Sequence, residues 1–324
     1  MTAKEIFDLV REDLIKVEQE IVLQTGSAIE PVAEISSYLL LGGGKRLRPA
    51  LLLLAAGYAG YRGDSAVQLG AVVELIHSAT LIHDDVIDGA NTRRGRPSSN
   101  SRWGNHRSVL AGDWLYMQSF QMALTERNFE ILDVLIELTQ NMVEGELVQL
   151  TKLGQIDLTE QDALELAARK TACLFAGCAR LGAVLGKLDD AGEQAMADYG
   201  HFAGLAFQLV DDVLDFTASP EQLGKPVLSD LKEGKVTLPL IYAMETAGTS
   251  GRQLVQTVLD EKGFDSVRPE QITALVQESG ALDRTRAAAT DFAQRAKACL
   301  NGNAPSDFGR ALKTVPDFIL GRDN

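Results

Sequence analysis

Apolar residues recur at helical spacing along most of this sequence, and this periodicity is the strongest constraint on its fold. Near the N-terminus, one apolar helix face is predicted from Ile6, Leu9, Val10, Leu14 and Val17. The same period returns over residues 129–150 and 163–186, whereas the strict alternation that is typical of a β-strand is almost absent. The pattern therefore predicts an all-α fold.

Short breaks divide the helical pattern without leaving a long linker. They fall at residues 42–44, 89–104, 153–158, 218–234 and 261–269, where glycine, proline, asparagine or serine is frequent. A chain of 324 residues is long enough for two domains, but large single helical domains also reach this size. Because no linker or low-complexity segment intervenes, we predict a single helical bundle domain over residues 1–324.

Composition excludes several classes of function. The net charge of −14 argues against a nucleic-acid surface, which needs a basic face, but it allows an anionic substrate held through divalent cations. Cys173, Cys178 and Cys299 lack the spacing of a zinc site or a disulfide framework. The N-terminal residues are too densely charged for a signal peptide, and the most apolar run, at residues 47–61, is too short to span a bilayer. We therefore expect a cytoplasmic protein with no nucleic-acid partner.

Two nearly identical acidic clusters lie inside apolar, helix-like stretches. The first aspartate cluster, in "LIHDDVIDGANTRRGRP", comprises Asp84, Asp85 and Asp88, and the second, in "FQLVDDVLDF", comprises Asp211, Asp212 and Asp215. On a helix, the first and last carboxylates of each cluster share one face, about 5–6 Å apart at Cβ. Such like charges destabilise a helix unless a cation neutralises them, and Mg²⁺ combines a few carboxylates with phosphate oxygens. We therefore predict a metal-binding role for both clusters, because solvated acidic turns would have polar neighbours.

Cationic residues accompany both clusters. Those near the first cluster are Lys45, Arg46 and Arg48 of "GGGKRLRP" together with Arg93 and Arg94, and those after the second are Lys225 and Lys235. Each cation alone is typical of a solvated surface. Beside two metal-binding clusters, they indicate a ligand with two or more diphosphates, one held by metal and one held directly by arginine and lysine.

These motifs, in this order and at these spacings, resemble the signature regions of the trans-isoprenyl diphosphate synthases, the polyprenyl synthetase family. The regions are "GGGKRLRP", "LIHDDVIDGANTRRGRP", "KTA" at 170–172, "FQLVDDVLDF" and "GKPVLSDLKEGK". The resemblance implies an isoprenoid synthase fold with the two clusters facing each other across a deep central cavity. It also implies a homodimer and a Mg²⁺-dependent, head-to-tail condensation of isopentenyl diphosphate with an allylic diphosphate, with three ions per active site.

The resemblance further implies a role for individual residues. The magnesium ligands are expected to be Asp84, Asp88 and Asp211, supported by Asp85, Asp212 and Asp215. The isopentenyl diphosphate site is expected to comprise Lys45, Arg48, His77 and Arg94. The allylic diphosphate side is expected to comprise Arg93, Lys170, Thr171, Gln208, Lys225 and Lys235.

Physical chemistry is consistent with these roles. Cleavage of an allylic C–O bond separates a carbocation from an anionic leaving group, and metal ions and cationic side chains stabilise the growing negative charge. Gln208 and Thr171 offer oxygen dipoles to the cation, and the released diphosphate is placed to remove the final proton. Because water quenches the cation, we expect the segment 218–234 to close over the site.

The residues one turn before the first cluster bear on product length. Short-chain members of the family tend to place an aromatic floor at this level, where this chain has Ala79 and Thr80. The small residues predict a product of about C30–C50 for a quinone side chain, and transient membrane association on release of that chain. The alternative is that Ala79 and Thr80 only permit helix packing, another helix supplies the floor, and the product has farnesyl or geranylgeranyl length.

Two further functions stay as alternatives. A terpene cyclase uses the same ionisation, but it does not need the "GGGKRLRP" site and usually keeps one such cluster. A synthase subunit that acts only with a partner typically loses aspartates, and this chain has lost none. The end of the chain, "FILGRDN", departs from the more basic ends of many relatives. His83, His106 and His201 lack metal-ligand spacing and are expected to have packing roles.

Overall fold

The computed structural model of the protein describes residues 1–26, 30–40, 46–93, 95–218, 227–300 and 306–323. Within these ranges the chain is almost entirely helical, apart from a two-residue antiparallel hairpin formed by β1 (Thr92–Arg93) and β2 (Arg96–Pro97). The all-α fold class that the periodicity predicts is therefore confirmed.

The helices follow one another along the chain with short connections. From the N-terminus they are α1 (Ala3–Asp8), α2 (Arg11–Thr25), α3 (Glu30–Leu40), α4 (Leu47–Tyr58), α5 (Ser65–Ile87), α6 (Ser99–Trp103), α7 (Asn105–Thr125) and α8 (Phe129–Lys152). They continue as α9 (Glu160–Ala167), α10 (Cys173–Leu185), α11 (Asp190–Thr217), α12 (Ser229–Lys232), α13 (Leu238–Glu261), α14 (Pro269–Glu278), α15 (Ala281–Cys299) and α16 (Asp307–Leu320). A π-helical turn at Ala168–Ala172 joins α9 to α10, and a 3₁₀ turn at Gly321–Asp323 follows α16.

Helix boundaries agree with the sequence pattern in some places and depart from it in others. The helix predicted over residues 129–150 is α8. The helix predicted over 163–186 is interrupted by the π-helical turn. The break predicted at 89–104 is wrong in part, because Ser98 caps a short helix there: its Oγ accepts a hydrogen bond from the backbone N–H of Ser101.

The described residues form two compact units. Unit 1 comprises Met1–Thr139, Leu174–Gly200 and Cys299–Val315, and unit 2 comprises Gln140–Cys173, His201–Ala298 and Pro316–Asn324. The single domain over residues 1–324 stays a prediction.

Unit 1 is built around α5. This helix packs against α2, α4 and α7, and its Leu69, Val72 and Ile76 are fully buried. By length and composition α5 is apolar enough to cross a membrane, but 67% of its most apolar window is buried inside the fold, as in a core helix. Gly182 of α10 permits close packing within the unit, because a Cβ there would lie 2.5 Å from that of Ala55 on α4.

Unit 2 is organised around α13, which packs against α9 and α14. Residues Leu238, Leu240 and Ala243 at its N-terminal end are fully buried. The start of α9 is fixed by a capping box, in which Thr159 and Asp162 each bond the backbone N–H of the other. This local order leads directly into the π-helical turn that carries Lys170 and Thr171.

Candidate active site

The first aspartate cluster lies at the C-terminal end of α5. Asp84 and Asp85 belong to its last turn, and Asp88 is the C-cap residue, whose N–H donates to the carbonyl oxygen of Asp84 at 2.8 Å. Asp84 and Asp88 are half-buried, whereas Asp85 is only 1% exposed. The outer two carboxylates of the cluster are therefore the accessible ones.

Asp85 is held by the hairpin that follows α5. Arg93 Nε donates to Asp85 Oδ1 at 2.7 Å, while the buried Asp85 Oδ2 has no hydrogen-bond partner in the described part of the chain. Burial raises the pKa of Asp85, and the charge of Arg93 opposes that rise. Arg93, expected on the allylic diphosphate side, thus pairs with a supporting carboxylate of the first aspartate cluster.

Predicted diphosphate-binding residues also meet in unit 1. Arg48 Nη1 lies 3.0 Å from His77 Nε2, a contact in which Arg48 donates and the imidazole nitrogen accepts. The guanidinium of Arg48 lies 5.4 Å from the ring centroid of Phe175. A cavity of about 50 Å³ is lined by His77, Asp85 and Arg93 among others. Thus the structure brings three of the sequence-predicted residues to one small cavity.

The second aspartate cluster lies near the C-terminal end of α11, and its members differ in accessibility. Asp211 is half-buried, with 37% of its side chain exposed, whereas Asp212 and Asp215 are 7% and 1% exposed. Ser229 Oγ donates to Asp215 Oδ1 at 3.2 Å, and the N–H of Leu228 donates to the Asp215 carbonyl oxygen at 3.1 Å. Asp215 therefore fixes the segment that leads into α12.

Arg322, in the 3₁₀ turn after α16, forms an ion pair with Asp211. The distance from Arg322 Nη1 to Asp211 Oδ1 is 2.8 Å, and the guanidinium lies 4.3 Å from the ring centroid of Phe207. The single arginine of the chain end thus lies at the accessible carboxylate of the second aspartate cluster.

The π-helical turn places Lys170 and Thr171 beside α11 and α8. Thr171 Oγ1 donates to Gln208 Oε1 at 2.6 Å, and Gln208 Nε2 donates to Asp212 Oδ1 at 2.8 Å. Lys170 Nζ donates to Glu146 Oε2 at 2.5 Å. Because π-helical turns change the side-chain register of a helix, they are frequent at functional sites.

A second cavity, of about 180 Å³, lies in unit 2. Its wall includes Lys170, Gln208, Asp212 and Lys235. Burial raises the pKa of Asp212 to about 8, the hydrogen bond from Gln208 opposes the rise, and neighbouring carboxylates add to it. Four sequence-predicted residues therefore share this cavity.

Three predicted cations, Lys45, Arg94 and Lys225, lie outside the described residues. Of the remaining histidines, His83 lies 3.2 Å from the Val109 carbonyl oxygen and stacks on Tyr116, in agreement with its expected packing role.

The aspartates fit a hard divalent cation. Carboxylate oxygens suit Mg²⁺, and the buried Asp85 Oδ2 has no hydrogen-bond partner among the residues that the structure describes. In the part of the chain that the structure describes, no three His, Cys, Asp or Glu side chains come together as a complete metal site.

Residues near the floor position differ in accessibility. Ala79 is completely buried in unit 1, as the helix-packing alternative expects, whereas Thr80 is half-buried. Thr80 Oγ1 donates to the carbonyl oxygen of His77 at 2.7 Å. Thr80, four residues before Asp84, is the accessible small residue at this level of the helix.

Sequence reasoning missed several partners of the predicted residues. Arg322 and Glu146 were not expected at the site, and neither was Glu74, which lines the smaller cavity with Arg46. Glu74 could have been predicted from its spacing, because it lies three residues before His77 and therefore on the same face of α5.

The chain matches the polyprenyl synthetase family model over residues 29–276. It belongs to the polyprenyl synthetase family. It is 36% identical over 323 residues to the octaprenyl diphosphate synthase of Escherichia coli (strain K12), with 100% of both chains covered.

Solved structures of the family are similar along the whole chain. A polyprenyl synthase from Caulobacter crescentus CB15, complexed with calcium and isoprenyl diphosphate, has a TM-score of 0.96 at 35% identity, covering 100% of this chain and 98% of the other. A decaprenyl diphosphate synthase from Rhodobacter capsulatus has a TM-score of 0.93 at 34% identity, covering 100% of both chains. These similarities confirm the isoprenoid synthase fold that the motifs predict.

Proposed function

We propose that this prenyltransferase condenses isopentenyl diphosphate head-to-tail with an allylic diphosphate to give a long-chain, all-trans polyprenyl diphosphate, in a reaction that requires Mg²⁺. The observation that carries the proposal is that each aspartate cluster contains both accessible and buried carboxylates. Asp84, Asp88 and Asp211 are accessible, while Asp85, Asp212 and Asp215 are held in the protein.

The accessible aspartates are the proposed magnesium ligands, with three ions per active site. Bound Mg²⁺ would neutralise the diphosphate as the allylic C–O bond breaks. Both aspartate clusters are proposed to serve this one reaction within a single catalytic domain.

The remaining side chains bind and orient the substrates. Arg48 and His77, with Lys45 and Arg94, are proposed to bind isopentenyl diphosphate, since Arg48 and His77 already meet at 3.0 Å. Lys170, Lys225 and Lys235 are proposed to bind the allylic diphosphate, and Lys170 and Lys235 line one cavity with Gln208. Arg93 is also proposed to serve the allylic diphosphate, and it pairs with Asp85 of the first aspartate cluster.

The relay of hydrogen bonds from Thr171 through Gln208 to Asp212 fixes the amide of Gln208. The amide donates to Asp212 and accepts from Thr171, so its orientation is set at both ends. A fixed dipole costs no reorganisation as charge develops, which favours a stabilising role toward the carbocation.

A product of about C30–C50 is supported by the absence of an aromatic ring at Ala79 and Thr80. The names of the similar proteins, which include octaprenyl and decaprenyl diphosphate synthases, agree with this length.

We also propose a homodimer, supported by exposed apolar stripes on two consecutive helices. On α7 the stripe is Leu110, Met117 and Leu124, and on α8 it is Phe129, Ile136, Val143 and Leu150. A spacing of seven residues keeps each stripe on one helix face, and a two-fold axis lets such a face pair with its own copy. Sedimentation of Ile136→Glu tests this, with Ile15→Glu as the matched control because both isoleucines are 53% exposed. A stable dimer in both variants would contradict the proposed interface.

The protein is proposed to act in the cytoplasm and to touch the membrane transiently as it releases a long apolar product. The predicted product motivates the membrane contact, because a chain of about C30–C50 is too apolar to be released into water. Fractionation of cells that carry the tagged chain tests the proposal, and a stable membrane pellet would contradict it.

The decisive assay incubates the purified chain with isopentenyl diphosphate, farnesyl diphosphate and Mg²⁺. Elongated prenyl diphosphates support the proposal, cyclic hydrocarbons support a cyclase, and turnover only after a partner is added supports a subunit. Asp84→Ala and Asp211→Ala are expected to abolish turnover with little change in folding. Asp283→Ala is the control, since 89% of that aspartate side chain is exposed.

A further inference from the structure

Arg46 has a role that differs from that of its neighbours in "GGGKRLRP". It is the N-cap residue of α4 and has a left-handed backbone, with φ 46° and ψ 41°. A non-glycine residue in this region costs about 1–3 kcal/mol, so surrounding contacts must hold it there. The side chain supplies those contacts.

The guanidinium of Arg46 donates hydrogen bonds to glutamates on two other helices. Nη1 donates to Glu74 Oε1 on α5 at 2.6 Å, and Nε and Nη2 both bond the carboxylate of Glu18 on α2. Only 11% of the Arg46 side chain and 7% of the Glu74 side chain are exposed. One buried cation therefore connects the start of α4 to α2 and α5.

Glu74 lines the same cavity as His77 and Arg93. A negative charge there opposes the binding of a diphosphate unless it is neutralised. Arg46 also lines this cavity, and its ion pair with Glu74 supplies the neutralising charge. Two residues further along α4, Arg48 reaches His77 at 3.0 Å, so the placement of the helix start also sets the placement of Arg48.

We propose that Arg46 is a positioning residue for the isopentenyl diphosphate site: it neutralises Glu74 and fixes the N-terminus of α4 so that Arg48 and His77 meet. This inference rests on the proposed function, which assigns Arg48 and His77 to isopentenyl diphosphate.

The test is a KM-against-kcat comparison of Arg46→Met, Glu74→Gln and the double variant. Arg46→Met is expected to raise KM for isopentenyl diphosphate about tenfold, because Glu74 becomes an uncompensated charge beside the diphosphate. The kcat and the KM for the allylic substrate are expected to change less than about threefold. Adding Glu74→Gln to Arg46→Met is expected to recover part of the affinity, because the repulsive charge is removed while the contacts that hold the start of α4 stay lost.

Two controls separate this role from general destabilisation. Arg62→Met makes the same chemical change to an arginine near the C-terminal end of α4, whose guanidinium stacks on Phe308. Glu12→Gln makes the same chemical change as Glu74→Gln at an exposed glutamate of α2. Both are expected to keep KM for isopentenyl diphosphate within about twofold of wild type. If Arg46→Met unfolds, Arg46→Lys retains the charge and is expected to raise KM by a smaller factor.

A calorimetric titration with inorganic diphosphate measures the site without turnover. The inference is supported if Arg46→Met binds inorganic diphosphate more weakly and the added Glu74→Gln substitution restores part of the affinity. If this result is obtained but no prenyl transfer occurs, only the proposed function fails. Unchanged KM and diphosphate affinity in folded Arg46→Met, or no recovery in the double variant, overturns the inference.

Discussion

Replacing Arg93 by methionine should destabilise the protein more than an ordinary surface substitution does. Asp85 is 1% exposed, and its Oδ1 accepts the Arg93 hydrogen bond at 2.7 Å, while its Oδ2 has no partner among the residues described by the structure. Two unit charges about 4 Å apart attract by about 4 kcal/mol at an effective dielectric constant near 20. Because a third of the Arg93 side chain is exposed, screening lowers the expected loss to about 2–3 kcal/mol.

The assay is urea unfolding of Arg93→Met, Asp85→Asn and the double variant, followed by circular dichroism. The double variant should lose less than the sum of the single losses, because removal of the Asp85 charge leaves nothing for Arg93 to neutralise. Arg96→Met is the matched control in the same hairpin, since Arg96 stacks on Tyr38 and should cost about 0.5–1 kcal/mol. A loss of unfolding free energy below about 0.5 kcal/mol for Arg93→Met, or strict additivity in the double variant, would show that Arg93 does not neutralise Asp85.

Three further outcomes follow from single contacts. Arg322→Gln should strengthen the binding of Mn²⁺ several-fold, because the guanidinium no longer competes with the metal for Asp211. Electron paramagnetic resonance measures the binding, and equal or weaker affinity would contradict this expectation. The pKa of Asp162 lies below its usual value, mainly because Lys152 donates a hydrogen bond to its carboxylate. The ionised Asp162 therefore stabilises the folded state fully above about pH 4, and this contribution declines as the pH falls further. Asp162→Asn should therefore lower the free energy of unfolding, measured in urea, by about 1 kcal/mol at pH 7 and by less at pH 3. An equal loss at both pH values would show that the charge of Asp162 is not stabilising. Tyr199→Phe should cost about 1–2 kcal/mol in the same assay, since the buried hydroxyl donates to a carbonyl of α16 at 2.7 Å, and an unchanged midpoint would exclude that bond as a stabilising contact.

The sequence predicts the helices that carry the chemistry because helical periodicity is a local property. It places both aspartate clusters on helices, and the structure has them on α5 and α11. The π-helical turn at Ala168–Ala172 escapes this reasoning, because its sequence reads as continuous helix and its register depends on packing.

Burial and distant ion pairs could not be predicted in the same way. The spacing of Asp84, Asp85 and Asp88 indicates which carboxylates share a helix face. Only the packed hairpin shows that Arg93 donates a hydrogen bond to Asp85. The pairing of Arg322 with Asp211 joins residues far apart in sequence, so periodicity and local propensity contain no signal for it. Such contacts depend on tertiary packing, which a single sequence does not reveal.

A mass spectrum of the lipid formed by the purified chain alone tests both the requirement for metal and the length of the product. With isopentenyl diphosphate, farnesyl diphosphate and Mg²⁺, we predict all-trans prenyl diphosphates of about C30–C50, and none when chelator is in excess. Full turnover in excess chelator, or elongation that stops at geranylgeranyl length, would contradict the proposed Mg²⁺-dependent synthesis of a long chain.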